Sequence, residues 1–145
     1  MKRQLSIPTL ATLLFAGLTA LGAATLLPLL TRFAREAAVG EWNFIVAPGL
    51  LAGLWAMLIY RRAATKVKHI SQSLSRGVLV AVLTWLSFSA AVTWVWCVPD
   101  LYYECFRHAL MISGVLAGGQ LLIAALAAAA IVGYAIRARA PRGGG

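Results

Sequence analysis

Apolar residues in this chain do not alternate with polar ones. They fall in four long blocks, residues 7–30, 44–60, 77–98 and 109–136, and none of the blocks contains Asp, Glu, Lys, Arg or His. A helix rising about 1.5 Å per residue needs about 20 residues to cross a hydrocarbon core of about 30 Å, and roughly 17 to 25 are tolerated. Each block meets that length; the second is near the short limit and the fourth is long enough to tilt. A transmembrane barrel would show segments of about ten residues with alternating polarity instead. The pattern predicts an all-α membrane protein, a single domain of four transmembrane helices packed as a bundle.

The first block has a second reading. MKRQ followed by LSIPTLATLLFAGLTALG has the charged start and apolar centre of a secretory signal, with Ala20 and Gly22 as a small-residue cleavage pair. The apolar run continues through AATLLPLL, however, which gives it the length of a bilayer span. It is read as a helix.

The placement of charge orients the helices. The amino end holds Lys2 and Arg3, the connection 61–76 holds Arg61, Arg62, Lys66, Lys68 and Arg76, and the tail holds Arg137, Arg139 and Arg142, so ten of the thirteen positive residues share one side. The connections 31–43 and 99–108 carry all four acidic residues, Glu36, Glu41, Asp100 and Glu104, against Arg32, Arg35 and Arg107. The positive-inside rule then places both termini in the cytoplasm and the other two connections outside. Trp42, Trp94, Trp96, Tyr102 and Tyr103 fall near the outer interface, and Tyr60 and Tyr134 near the inner one, where amphipathic rings anchor a helix.

Composition removes the soluble alternatives. The chain is 61% apolar and 12% charged, whereas soluble domains are nearer a quarter charged. A net charge of +9 in a soluble protein would point to nucleic acid. Here the positive residues sit between apolar blocks, so topology accounts for them and no nucleic-acid partner is expected.

Both cysteines lie in CVPDLYYEC, with seven residues between them, on the outer side. In a bacterium that side is the periplasm, where disulfides persist. A structural bridge between Cys97 and Cys105 is the first reading; two unpaired thiols, or redox or metal chemistry, remain open. A quinone-linked disulfide-forming enzyme also has four helices, but it needs two cysteine pairs, one of them C-x-x-C, and this chain has one pair with a different spacing. Zinc needs four ligands. Cys97, Cys105 and His108 make three, and His69 is on the other side, so no metal site is assigned.

In the connection 61–76, Ala63, Val67, Ile70 and Leu74 share one helical stripe, with Lys66, Lys68 and Gln72 off it. Such a segment continues the second helix or lies in the interface with its basic side toward anionic lipid.

Burial of apolar surface cannot bring helices together in lipid, so small residues and interhelical hydrogen bonds must. The second helix carries Gly49 and Gly53 as G-x-x-x-G, and the fourth carries Gly114 and Gly118 in the same spacing. The first has a small face of Thr9, Thr12, Ala16, Thr19 and Ala23. Counting from the block ends, Thr19, Gly53, Ser87 and Gln120 fall near the midplane, with Thr84 close by. Gln120 is the only side-chain amide in any span. An unpaired amide there is costly, and Ser87 or Thr84 is its expected partner.

No span holds the ionisable group that a proton-coupled transporter keeps as its coupling site. Phosphate-binding glycine loops, H-E-x-x-H and G-x-S-x-G are missing from the sequence. The expectation is a protein without catalytic residues or cofactor, whose partners are the bilayer and another membrane protein or a second copy of itself. In size and topology the chain resembles pore-colicin immunity proteins, with no motif matched residue by residue. That resemblance implies an immunity protein; an accessory subunit of a membrane complex fits equally, and the alternative is a small oligomeric channel or transporter lined by Thr19, Ser87 and Gln120.

A reporter active only in the cytoplasm should report when fused after Arg139 or within residues 61–76. It should be silent near Glu41 or Glu104. The opposite pattern reverses the orientation, and an amino terminus near Ala23 in the mature protein marks the first block as a cleaved signal.

Overall fold

A computed structural model describes residues 6–33, 43–61 and 70–139, with side chains described except those of residues 27–33 and Trp96. Four helices follow one another: α1 (Ile7–Phe33), α2 (Asn43–Arg61), α3 (Ile70–Trp96) and α4 (Tyr102–Arg139), with a 3₁₀ turn at Pro99–Leu101 between the last two. All four are long and apolar enough to cross a membrane. Lys2, Arg3, Arg35, Glu36, Glu41, Trp42, Arg62, Ala63, Lys66, Val67, Lys68 and Arg142 lie outside the described residues.

Two helix starts differ from the sequence reading. Residues 70–76 are the first turns of α3, although they were read as connection, and residues 102–108 are the first turns of α4. Hydropathy locates the boundary of the apolar block and not of the helix, because a helix continues into polar sequence for as long as its backbone bonds are satisfied. Ile70 and Leu74 of the amphipathic stripe therefore belong to α3 and do not extend α2.

Local chemistry explains the helix ends and one interrupted bond. Ser6 caps α1, its hydroxyl accepting the Thr9 amide at 3.3 Å, and Pro8 sits in the first turn, where a missing N–H costs nothing. Pro48 lies within α2 and cannot donate to the Phe44 carbonyl. Pro99 begins the turn after α3.

Each helix packs against two neighbours, α1 on α2 and α4, and α3 on α2 and α4. Glycines set the closest approaches. A Cβ at Gly49 would lie 3.1 Å from the Ala16 carbonyl oxygen and 3.2 Å from Ala20 Cβ, and one at Gly53 would lie 3.1 Å from Ala16 Cβ and 3.3 Å from the Thr12 carbonyl oxygen. The G-x-x-x-G of α2 is thus filled by the small face of α1 in the same chain. Between α3 and α4 the tightest point is Gly77, where a Cβ would come within 2.6 Å of Ala129 Cβ and 3.0 Å of the Ala125 carbonyl oxygen. The sequence reading did not single out Gly77.

The interior is densest toward the end that carries the chain termini. Ala11, Phe15, Ala52, Ala56, Tyr60, Val80, Ala125, Ala128, Ala129 and Val132 form one buried cluster there, and the Phe15 and Tyr60 rings meet at 5.8 Å. Outward-facing residues such as Leu50, Val115 and Ile123 are apolar as well, as a lipid-facing surface requires.

Gly77→Ala should therefore force α3 and α4 apart and destabilise the fold by about 1–3 kcal/mol, the usual cost of overpacking. Gly17→Ala, which meets nothing within 4 Å, should leave stability unchanged or raise it by up to about 1 kcal/mol through helix propensity. Thermal unfolding of both variants in one detergent measures the contrast.

Candidate functional site

The polar side chains buried between the helices fall into two groups. The first closes bonds between helices. Ser73, at the start of α3, donates its hydroxyl to the Ala129 carbonyl oxygen of α4 at 2.7 Å. Tyr60 Oη of α2 shares its one proton between Ser73 Oγ and the Ser73 carbonyl oxygen, each 3.1 Å away. One serine thus ties three helices together within the dense end. Ser113 joins α4 to α3 further along: its hydroxyl donates to its own helix at the Ala109 carbonyl, 2.6 Å away, and accepts from Trp85 Nε1 at 2.9 Å and from Ser89 at 3.1 Å. Trp55 Nε1 donates to Ser87 at 3.0 Å, linking α2 to α3.

The second group has no partner. Thr19 and Thr84 are 4% and 0% exposed, and their hydroxyl oxygens make no hydrogen bond among the described residues. This is unusual for helical hydroxyls in this chain, since Thr12, Thr25, Ser75 and Thr93 all bond back to a carbonyl three or four residues earlier. Gln120, expected to bond Ser87 or Thr84, instead lies beside Gly22 of α1, whose Cβ position is 3.9 Å from Gln120 Oε1. Ser87 is engaged by Trp55, so its expected bond to Gln120 is not formed.

Thr19, Thr84 and Gln120 line one cavity of about 490 Å³ between the helices. Its walls come from Thr19 to Leu26 of α1, Phe44 and Pro48 of α2, Thr84 to Cys97 of α3, and Glu104 to Leu121 of α4. All of these lie in the half away from the termini, so the molecule is packed at one end and hollow at the other. The contacts of Gly133 with Ser73 and of Gly77 with Ala125 and Ala129 fix the antiparallel register of α3 and α4. Carried forward, that register sets Thr84 level with Gln120 and Leu121. The three polar residues therefore mark the deep end of the cavity.

At its other end stand Cys97, Leu101, Glu104, Cys105 and His108. Cys97 and Cys105 are disulfide-bonded, with Cα atoms 6.4 Å apart, inside the range the bond requires. The bridge joins the end of α3 to the first turns of α4, and it removes both thiols from the set of metal ligands considered with His108. His108 Nδ1 donates to the Glu104 carbonyl oxygen at 2.7 Å, and the Glu104 carboxylate pairs with Arg107 at 3.1 Å. Trp94 and Tyr102 stack beside the bridge at 5.8 Å. The cavity therefore runs from the level of the unpartnered Thr19 and Thr84 toward the disulfide, Glu104 and His108.

The candidate helix-packing residues divide as well. Gly49, Gly53 and Gly114 are filled by neighbours, the last by Trp85 at 3.1 Å, whereas a Cβ at Gly118 or at the adjacent Gly119 would meet nothing within 4 Å. Sequence reasoning missed Trp55, Ser73, Ser89 and Ser113, which carry interhelical bonds, and it read Tyr60 as an interface anchor, whereas its ring is fully buried and its hydroxyl bonds Ser73. Their signal was present: each is a hydrogen-bonding side chain inside or beside an apolar block and has to find a partner. No protein-family model, curated protein or solved structure matches this chain.

Proposed function

We propose that this is a non-enzymatic protein of a bacterial inner membrane, with both termini in the cytoplasm, that acts by associating with helices of another membrane protein. An immunity protein against a membrane-active toxin and an accessory subunit of a membrane complex are the two roles that suit it. The observation that carries the reading is the open glycine pair on α4. The α2 glycines are consumed by packing on α1, but Gly118 and Gly119 are left unfilled by the described residues, beside outward-facing Val115 and Ile123, which are 85% and 69% exposed. Small residues that admit a close backbone approach are what helix association in lipid uses.

The channel alternative draws support from Thr19 and Gln120 lining one cavity. Against it, the Phe15 and Tyr60 layer fills the interior at the other end, both residues being fully buried, so a single chain offers no continuous path.

Gly119→Leu and Gly118→Leu should leave the fold intact, since both sites are open. They should weaken capture of the partner about threefold to tenfold, the loss of roughly 0.6–1.4 kcal/mol of helix contact. A photo-crosslinker at position 119, followed in cells of the source bacterium, identifies that partner: a secreted toxin means immunity and a larger membrane subunit means the accessory role. Ion flux through liposomes that Gln120→Leu abolishes in folded protein would replace this reading with the channel.

A further inference from the structure

No hydrogen bond among the described residues satisfies the Gln120 side chain. The residue lies eighteen positions past Tyr102 and nineteen before Arg139 on α4, about 27 Å of helix from either end. In a core of about 30 Å it therefore stands deep in hydrocarbon. Gly22 of α1 is beside it, and the Gly22 carbonyl already accepts from Thr25. Gln120 is exposed, and the cavity wall next to it is almost wholly apolar, so the amide is turned to the outside of the bundle. An unpaired amide in hydrocarbon is costly, and the partner it requires comes from outside this chain.

The residues around it set the kind of partner. Leu116, Gln120, Ile123, Ala127, Ala130 and Tyr134 follow one another at spacings of four, three, four, three and four, and all are exposed. That is the 3.5-residue repeat of a coiled-coil seam, in which a lone polar residue fixes the register and the number of strands. Gly118 is two residues from Gln120, just over half a turn, and looks the other way.

A second copy supplies what the amide lacks. All copies of one chain share a topology, so a two-fold axis along the membrane normal brings Gln120 of one copy to Gln120 of the next at the same depth. One amide carries both a donor and an acceptor, and the pair closes two reciprocal bonds. A foreign helix would have to place a matching donor and acceptor at that depth by its own sequence.

We propose that α4 is a parallel self-association seam, with reciprocal Gln120 amide bonds in the middle of the bilayer and Leu116, Ile123, Ala127, Ala130 and Tyr134 packed on their counterparts. This goes beyond association with another membrane protein, which uses the side of α4 that carries Gly118; Ile123 borders both faces. The dimer leaves Gly118 open on each copy.

The test uses the full chain, labelled at its carboxyl end with donor or acceptor dye and reconstituted in phosphatidylcholine liposomes, with energy transfer followed as lipid is added. A dimer that dissociates on dilution is expected. Gln120→Leu should weaken it about fivefold to tenfold, the value of two hydrogen bonds between helices in lipid. Gln120→Asn keeps an amide and should stay within about threefold of the parent, and Gly118→Leu should leave the dimer unchanged. Because Gly118→Leu is the variant expected to lose the other membrane protein, the two readings fail separately. In excess detergent, where the chain is monomeric, Gln120→Leu should melt at or above the parent's temperature. Single cysteines map the seam: with Cys97 and Cys105 bridged, oxidation should join copies through Leu116→Cys, Ile123→Cys or Ala127→Cys and not through Val115→Cys or Leu122→Cys, which are exposed off the seam. The proposal is overturned if the parent stays monomeric at high protein-to-lipid ratio, if Gln120→Leu associates as tightly as the parent, or if Val115→Cys and Leu122→Cys give the stronger cross-links. A lower melting temperature for monomeric Gln120→Leu also overturns it, because the amide would then be bonded within the chain. So does a photo-crosslinker at position 120 that captures only a different membrane protein.

Discussion

A polar group inside a bilayer has no water to bond, and the arrangement of this protein follows from how its few such groups are satisfied. Ser73 gives its proton to α4 and takes one from α2. Ser113 collects Trp85 and Ser89 while bonding its own backbone. These bonds are individually worth little in a membrane, about 0.6 kcal/mol on average. Their directionality matters more than their strength, because each holds one helix at a fixed rotation against its neighbours and so decides which side chains face inward.

Rotation in turn decides where backbones can approach. With α3 and α4 held by Ser73, Gly77 and Gly133 face the opposite helix, Gly133 so closely that a Cβ there would lie 2.9 Å from Ser73 Cβ. With α1 and α2 in contact, Gly49 and Gly53 meet Ala16 and Ala20. Alanine dominates the interior toward the termini, where Ala11, Ala52, Ala56, Ala125, Ala128 and Ala129 fill the space between close backbones around Phe15 and Tyr60. Beyond Thr19 and Thr84 that layer ends, and a partly open cavity lies between the helices with the disulfide at its far rim. The buried cluster lies at one end and the cavity at the other.

Much of this was legible from residue order. Four spans follow from block length, and the pairing of Cys97 with Cys105 was the first of several readings of their spacing. Thr19, Thr84 and Gln120 were grouped by depth alone, and they do line one cavity. Ser87 was grouped with them and lies elsewhere, because depth says nothing of rotation about the helix axis, and Trp55 takes its hydroxyl. The same gap explains the glycines. Two identical G-x-x-x-G spacings read alike in sequence, yet the one on α2 meets small residues of α1 while Gly118 meets no neighbour within 4 Å. Gly77 was passed over because it has no glycine partner four residues away, although it makes the tightest contact of all. The start of α3 at Ile70 was hidden because the charged residues around it read as connection.

The central claim is that one end of this molecule is packed and the other is hollow, and a single pair of substitutions on one helix tests it. Ala11 and Ala23 both belong to α1; the first is fully buried in the dense cluster and the second lines the cavity. Thermal unfolding of Ala11→Phe and Ala23→Phe in the same detergent compares the two environments directly. Ala11→Phe should lose about 1–3 kcal/mol or more through overpacking, and Ala23→Phe should stay within about 1 kcal/mol of the parent because its ring enters existing space. Equal losses at the two positions, or a larger loss at Ala23, would contradict the account.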